Sequence, residues 1–180
     1  MSLHLERALF VVAPRNSGKS TVLRSMFLDR RLGTAGKIPS KARISDIYLS
    51  NERRLHMRIT SPHEAGETQK EFLMKAKNKM PDGRWCFASP LHPHAFKNMP
   101  DAVTTVRSFF RIFHPERTRI VFISPNHKGE RLDEYAPGQD LVKDMLSIDK
   151  SIEVICIDNG SRLNSKIHNG LLLADYFDFT

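Results

Sequence analysis

Apolar positions along this chain switch between strand and helix spacing, and the switches predict its elements in order. Leu9, Phe10, Val11 and Val12 form a short apolar run rich in β-branched residues, which reads as a buried parallel strand. Behind it Val22, Leu23, Met26 and Phe27 recur at helical spacing, so a helix is expected to open at Lys19 and Ser20. Residues 33–41 combine Gly, Pro and Ser without periodicity and read as a mobile loop. A strand is expected over 44–50, then a polar turn at Asn51, Glu52 and Arg53. In the strand after it, Leu55, Met57 and Ile59 alternate with His56, Arg58 and Thr60. So short a turn makes these two strands antiparallel, because a parallel crossover needs roughly a dozen residues or more.

The rest of the chain settles into strand–helix repeats. A helix is expected over 62–80, with Phe72, Leu73, Ala76 and Met80 on one face, followed by a strand over 85–88. The next helix starts near Pro100 and Asp101 and carries Val103, Val106, Phe109, Phe110 and Phe113. Then come a strand over 120–123, a helix over 140–148, a strand over 152–157 and a last helix over 163–177. This order predicts one three-layer α/β domain spanning 1–180, with a mostly parallel six-stranded sheet and one antiparallel strand.

Composition adds three points. At 180 residues, with 40% hydrophobic and 27% charged residues, the chain can bury a full core. It shows no apolar stretch of membrane-span length, no signal segment and no lipidation motif, and Cys86 and Cys156 lie in apolar runs without a C-x-x-C pair. These features read as buried thiols in a cytoplasmic protein. The formal charge of +8 implies either a polyanionic partner or good solubility. Arg30, Arg31, Lys37, Lys41, Arg43, Arg53, Arg54 and Arg58 concentrate the charge in the 30–58 segment, and Lys70, Lys75, Lys77 and Lys79 extend it. That segment reads either as a solvated face or as the surface for a protein, nucleic acid or anionic lipid.

Between the first strand and helix stands Ala13-Pro14-Arg15-Asn16-Ser17-Gly18-Lys19-Ser20, of the form [A/G]-x-x-x-x-G-K-[S/T]. Backbone N–H groups of such a loop can wrap a polyphosphate, with Lys19 reaching the β- and γ-phosphates and the Ser20 hydroxyl ligating Mg²⁺. The expected nucleotide-binding set is therefore Ala13, Asn16, Ser17, Gly18, Lys19, Ser20 and Thr21, for ATP or GTP.

The element order, with strand, phosphate loop, helix, mobile loop, antiparallel hairpin and three further strand–helix units, resembles the Ras-like small GTPase fold over nearly the whole chain. The resemblance implies that the 33–41 loop senses the γ-phosphate and Mg²⁺, through Thr34 or Ser40. Where the family has D-x-x-G this chain has Thr60 to Gly66 without an aspartate. Where the family has N-K-x-D it has Asn126, Lys128 and Glu130 at altered spacing. Asn126, Lys128 and the Asp158 loop are then base-side candidates, and the resemblance places the exit of the last strand far from the phosphates.

Four further groups have two readings each. Glu64 is the acid nearest the hairpin's end and so a candidate for supporting Mg²⁺ or the attacking water, yet Ser61-Pro62-His63-Glu64 also reads as a capping box. His63 could orient a water or lie exposed in a first helical turn. Arg15 could cover a phosphate at the transition state or point to solvent. Asp158 resembles an acid closing an apolar strand, or belongs to a turn in which Ser161 caps the last helix. His92-Pro93-His94 reads as a rigid loop rather than a metal site. The leading reading is a P-loop nucleoside triphosphatase or nucleotide switch. Its rivals are a nucleotide or small-molecule kinase, with Arg131 and Arg162 as lid candidates, and a non-catalytic nucleotide-binding module.

Overall fold

Alternation along β1 (Leu3–Val12) sends Phe10 and Val12 into one buried cluster and Leu9 and Val11 into another, so both faces of its sheet are covered. The computed structural model describes residues 2–41, 43–160 and 163–179. The sheet has six strands in the order β2 (Ile47–Tyr48), β3 (Arg53–Met57), β4 (Gly83–Leu91), β1, β5 (Arg117–Ile123) and β6 (Ile152–Ile157). Every neighbouring pair is parallel except β2–β3, as the short turn at Asn51 requires.

One face is covered by α1 (Lys19–Ser25) and α7 (Leu163–Asp175), through Val22, Leu23, Leu173 and Ala174. Gly170 lets α7 approach the end of α1, for a Cβ there would lie 2.4 Å from the Ser25 backbone. The other face is covered by α3 (Gln69–Lys79), α4 (Ala102–Phe113) and α6 (Leu141–Leu146). Phe10, Phe72, Phe87 and Phe109 meet there with ring centroids 4.8–6.1 Å apart. Such contacts add about 0.5–1.5 kcal/mol per pair beyond area burial.

The expected 62–80 helix is two helices. Gly66, at φ 71°, ends α2 (Pro62–Ala65) in the left-handed conformation, and Thr68 restarts the chain with a capping box to Glu71. The expected 44–50 strand shrinks to Ile47–Tyr48, whereas β4 runs on to Leu91 and β5 begins at Arg117. A short helix, α5 (Leu132–Tyr135), lies in a stretch with no expected element. Cys156 is exposed, because β6 is the edge strand and only Cys86 occupies the core. No described helix is long and apolar enough to cross a membrane.

This topology positions the site. The chain leaving β1 turns to α1 on one face, while the chains leaving its neighbours β4 and β5 turn to α4 and α6 on the other. Diverging connections open a crevice at the carboxyl ends of such strands, which is where ligands bind in open α/β sheets.

Candidate functional site

The 13–20 loop leaves β1 at that crevice, and Ala13 N–H stays tied to the Leu91 carbonyl of β4 at 3.3 Å. Asn16 (φ 59°) and Gly18 (φ 88°) curl the backbone before α1 begins. The Lys19 side chain returns beneath the loop and is only 4% exposed. Its ammonium donates to the Ala13 carbonyl at 2.9 Å and the Pro14 carbonyl at 2.7 Å. Glu64 Oε1 lies 3.8 Å away. Burial pushes Lys19 down to about 8, against the opposing pull of Glu64.

These groups border a cleft of about 410 Å³ lined by residues 16–21, Glu64, His127 and Asn159. The first-turn N–H groups of Lys19, Ser20 and Thr21 take no acceptor from the described residues, and the N-cap Gly18 has no side chain to offer. Ser20 Oγ donates its proton to the Ile59 carbonyl at 2.9 Å, which leaves the oxygen's lone pairs free. Ser17 is buried and accepts from Asn126 Nδ2 at 3.1 Å.

Asn159 lies two residues past the end of β6 and packs against Gly18, where a Cβ would come within 2.6 Å of its Nδ2. This departs from the arrangement the resemblance implies, because the exit of the last strand reaches the 13–20 loop. Gly18→Ala would suffer that overlap on top of a left-handed φ, which costs roughly 1–2 kcal/mol by itself. A loss of about 2 kcal/mol or more in urea-induced unfolding is expected. A variant as stable as the parent would contradict this packing.

Several sequence candidates lie elsewhere. Thr34 Oγ1 donates to the Phe27 carbonyl at 3.0 Å, beyond the far end of α1, so it does not join Ser20. Asn126 is fully buried and spends its whole amide internally. Its Nδ2 bonds Ser17 and Glu130 (2.7 Å), and its Oδ1 accepts from the N–H groups of Lys128 (2.9 Å) and Glu130 (3.1 Å). It organises the loop and braces the site, with nothing left to read a base. Lys128 and Arg15 are exposed and outside the cleft lining. Asp158 is exposed and turned onto the Gly160 N–H at 2.6 Å. Ala13 is wholly buried, and its carbonyl is taken by Lys19. Ser161 and Arg162 lie outside the described residues.

Glu64 is not a cap. The Ser61 N-cap makes no side-chain cap bond, and the Glu64 carboxylate turns to Lys19 instead. His63 is fully buried rather than exposed, with Nε2–H donating to the Pro100 carbonyl (2.6 Å) and Nδ1 accepting from the His92 N–H (3.3 Å). Burial pushes it down to about 4, so it is neutral and committed to packing. His94 Nε2–H donates to the Tyr135 carbonyl at 2.6 Å, and His92 stacks on Phe96 with ring centroids 5.7 Å apart. Among the described residues no cluster of three His, Cys, Asp or Glu side chains could hold a metal ion.

The basic segment is less free than its count implies. Arg31 pairs with Asp29 and Asp175, Arg53 with Glu6, and Arg58 with Glu67. The sequence reading did not place His127 and Asn159 at the site. Each sits in a loop after a C-terminal strand, and only the strand order brings those loops to Gly18. Comparison of the chain with protein-family models, curated proteins and solved structures gives no match.

Proposed function

We propose that the 13–20 segment is a phosphate-binding loop and that the chain binds a nucleoside triphosphate with Mg²⁺ and hydrolyses it slowly. The observation that carries this reading is the buried Lys19 ammonium, held by two loop carbonyls and 3.8 Å from Glu64 in a cleft that both residues line. A desolvated cation beside free backbone N–H groups suits a polyphosphate and little else of comparable size. Lys19 holds the β- and γ-phosphates and offsets charge developing on them. Glu64 accepts the proton of the attacking water, and Asn126 and Asn159 hold the loop in shape. The Ser20 oxygen, its proton directed to Ile59, fits Mg²⁺, which would add charge neutralisation. What supports the Ras-like resemblance is the order of elements along the chain and the sequence of the 13–20 segment. Thr34 and the Asp158 loop depart from it, and none of the base-side candidates among the described residues is placed to select guanine.

ATP and GTP, each with Mg²⁺, are expected to stabilise the protein at a hundred times Kd by about 2.7 kcal/mol. For a chain of this size that raises Tm by about 5–10 °C. Affinities should differ by less than about a hundredfold, the worth of two good hydrogen bonds. Turnover should stay near the unaided small-GTPase rate of about 10⁻⁴ per second. A phosphate-release assay alongside the melts checks both. If neither nucleotide moves Tm, the reading fails; a turnover near one per second would refute the slow mechanism but not the loop.

A further inference from the structure

A second cleft, of about 870 Å³, opens between α3 and the segment leading into β2, and none of its lining residues borders the first. β2 pairs with β3 only at Ile47–Leu55 and Tyr48–Arg54, which leaves His56 and Met57 of β3 without a β2 partner and in the lining of this cleft. That volume is in the range of small-molecule pockets. Met57 and Ile59 supply an apolar part of the lining.

His56 lines the cleft with a side chain 11% exposed. Its Nδ1 lies 2.8 Å from Asp46 Oδ1, so Nδ1–H donates a hydrogen bond to the carboxylate, which fixes the ring's orientation. Nε2 has no hydrogen-bond partner among the described residues. Four cations, Arg43, Arg58, Lys75 and Lys79, line the cleft against the carboxylates of Asp46 and Glu67. Glu67 is committed to Arg58, at 2.9 and 3.0 Å, and to Lys75 at 3.0 Å. Arg43 and Lys79 have no carboxylate partner among the described residues.

We propose that this cleft binds a small organic phosphate monoester, with protonated His56 Nε2, Arg43 and Lys79 on its oxygens. With His56 neutral, four cations against two carboxylates leave an excess of two positive charges. A phosphate monoester, at about −2 when fully ionised, offsets that excess, and protonation of His56 then leaves the cleft with a net charge of about one. The apolar lining takes the organic part. Burial, and then Arg58 and Lys79, hold His56 below its ordinary value of 6.5, while Asp46 opposes them. A bound phosphate offsets those cations and favours the imidazolium, so binding takes up a proton at His56. Arg43, Asp46, Arg58, Lys75, Glu67 and Lys79 are the charged groups of the lining.

The test is NMR of the His56 ring in the intact protein, titrated separately with AMP and with a thymidine oligonucleotide lacking terminal phosphates. AMP is expected to shift the His56 resonances saturably and to raise the ring's pKa by about a unit or more. Arg43→Ala and Lys79→Ala, both at exposed positions, should each weaken AMP about tenfold. His56→Gln should remove the proton uptake measured by calorimetry in two buffers. A His56 response to the oligonucleotide alone would overturn the small-ligand assignment and mark a nucleic-acid backbone as the source of phosphate. No saturable response to either probe would overturn the site itself. Because His56 lies outside the first cleft, neither result depends on nucleotide binding at Lys19.

Discussion

Lys19→Ala is expected to weaken triphosphate binding by at least about a hundredfold while the fold survives. The lost interactions are charge-assisted bonds to phosphate, worth about 1.5–3 kcal/mol each. Two opposing effects bear on stability. The Ala13 and Pro14 carbonyls lose a buried donor. In return, the chain no longer desolvates an ammonium whose pKa falls from 10.5 to about 8, which costs on the order of 3 kcal/mol when it is charged. Unfolded, Lys19 holds its proton up to about 10.5; folded, only up to about 8. Stability therefore rises with pH through that window, and the full cost is present below it. Binding runs the other way, because a polyphosphate requires the charged form. Parent affinity should be flat below about pH 8 and fall roughly tenfold per unit above it. Calorimetric titration at pH 7 and pH 9, with circular dichroism to confirm folding, checks both. Unchanged ATP and GTP affinity in a folded Lys19→Ala protein would remove the phosphate-loop assignment.

Glu64→Gln separates chemistry from packing at the same site. The substitution keeps shape and removes the charge 3.8 Å from Lys19. If Glu64 takes the proton of the attacking water, single-turnover hydrolysis drops by about 10²–10⁴. Affinity for the triphosphate should hold or tighten, since a negative charge facing the phosphates is gone. The melting temperature should barely change, because Glu64 makes no cap bond at the start of α2 and a long, partly exposed ion pair contributes about 0–1 kcal/mol. An unchanged rate would reduce Glu64 to a partner of Lys19. Loss of rate and affinity together would place it in binding rather than proton transfer.

The α2–α3 break shows how local signals can be present and still outvoted. Thr68-x-x-Glu71 is a legible capping box and Gly66 a legible stop, but Phe72, Leu73, Ala76 and Met80 suggested one long face. All four lie in or just after α3, so the periodicity never spoke for residues 62–67. Glu64 illustrates the opposite limit. Its spacing from Ser61 favoured a cap, and a cation 45 positions earlier in the chain attracted it instead.

By itself the sequence determined what depends on neighbours along the chain. It set the apolar first strand, the glycine that permits φ 88° before Lys19, the helix opening there, and the antiparallel β2–β3 turn. Tertiary structure alone decided the strand order, and with it everything that meets across the sheet's carboxyl edge. Asn126 braces Ser17 across 109 positions, Asn159 abuts Gly18, and Thr34 is carried away from Ser20 by the length of α1. Periodicity encodes which face of an element is buried; which elements become neighbours is settled by packing complementary faces over distances no local pattern records.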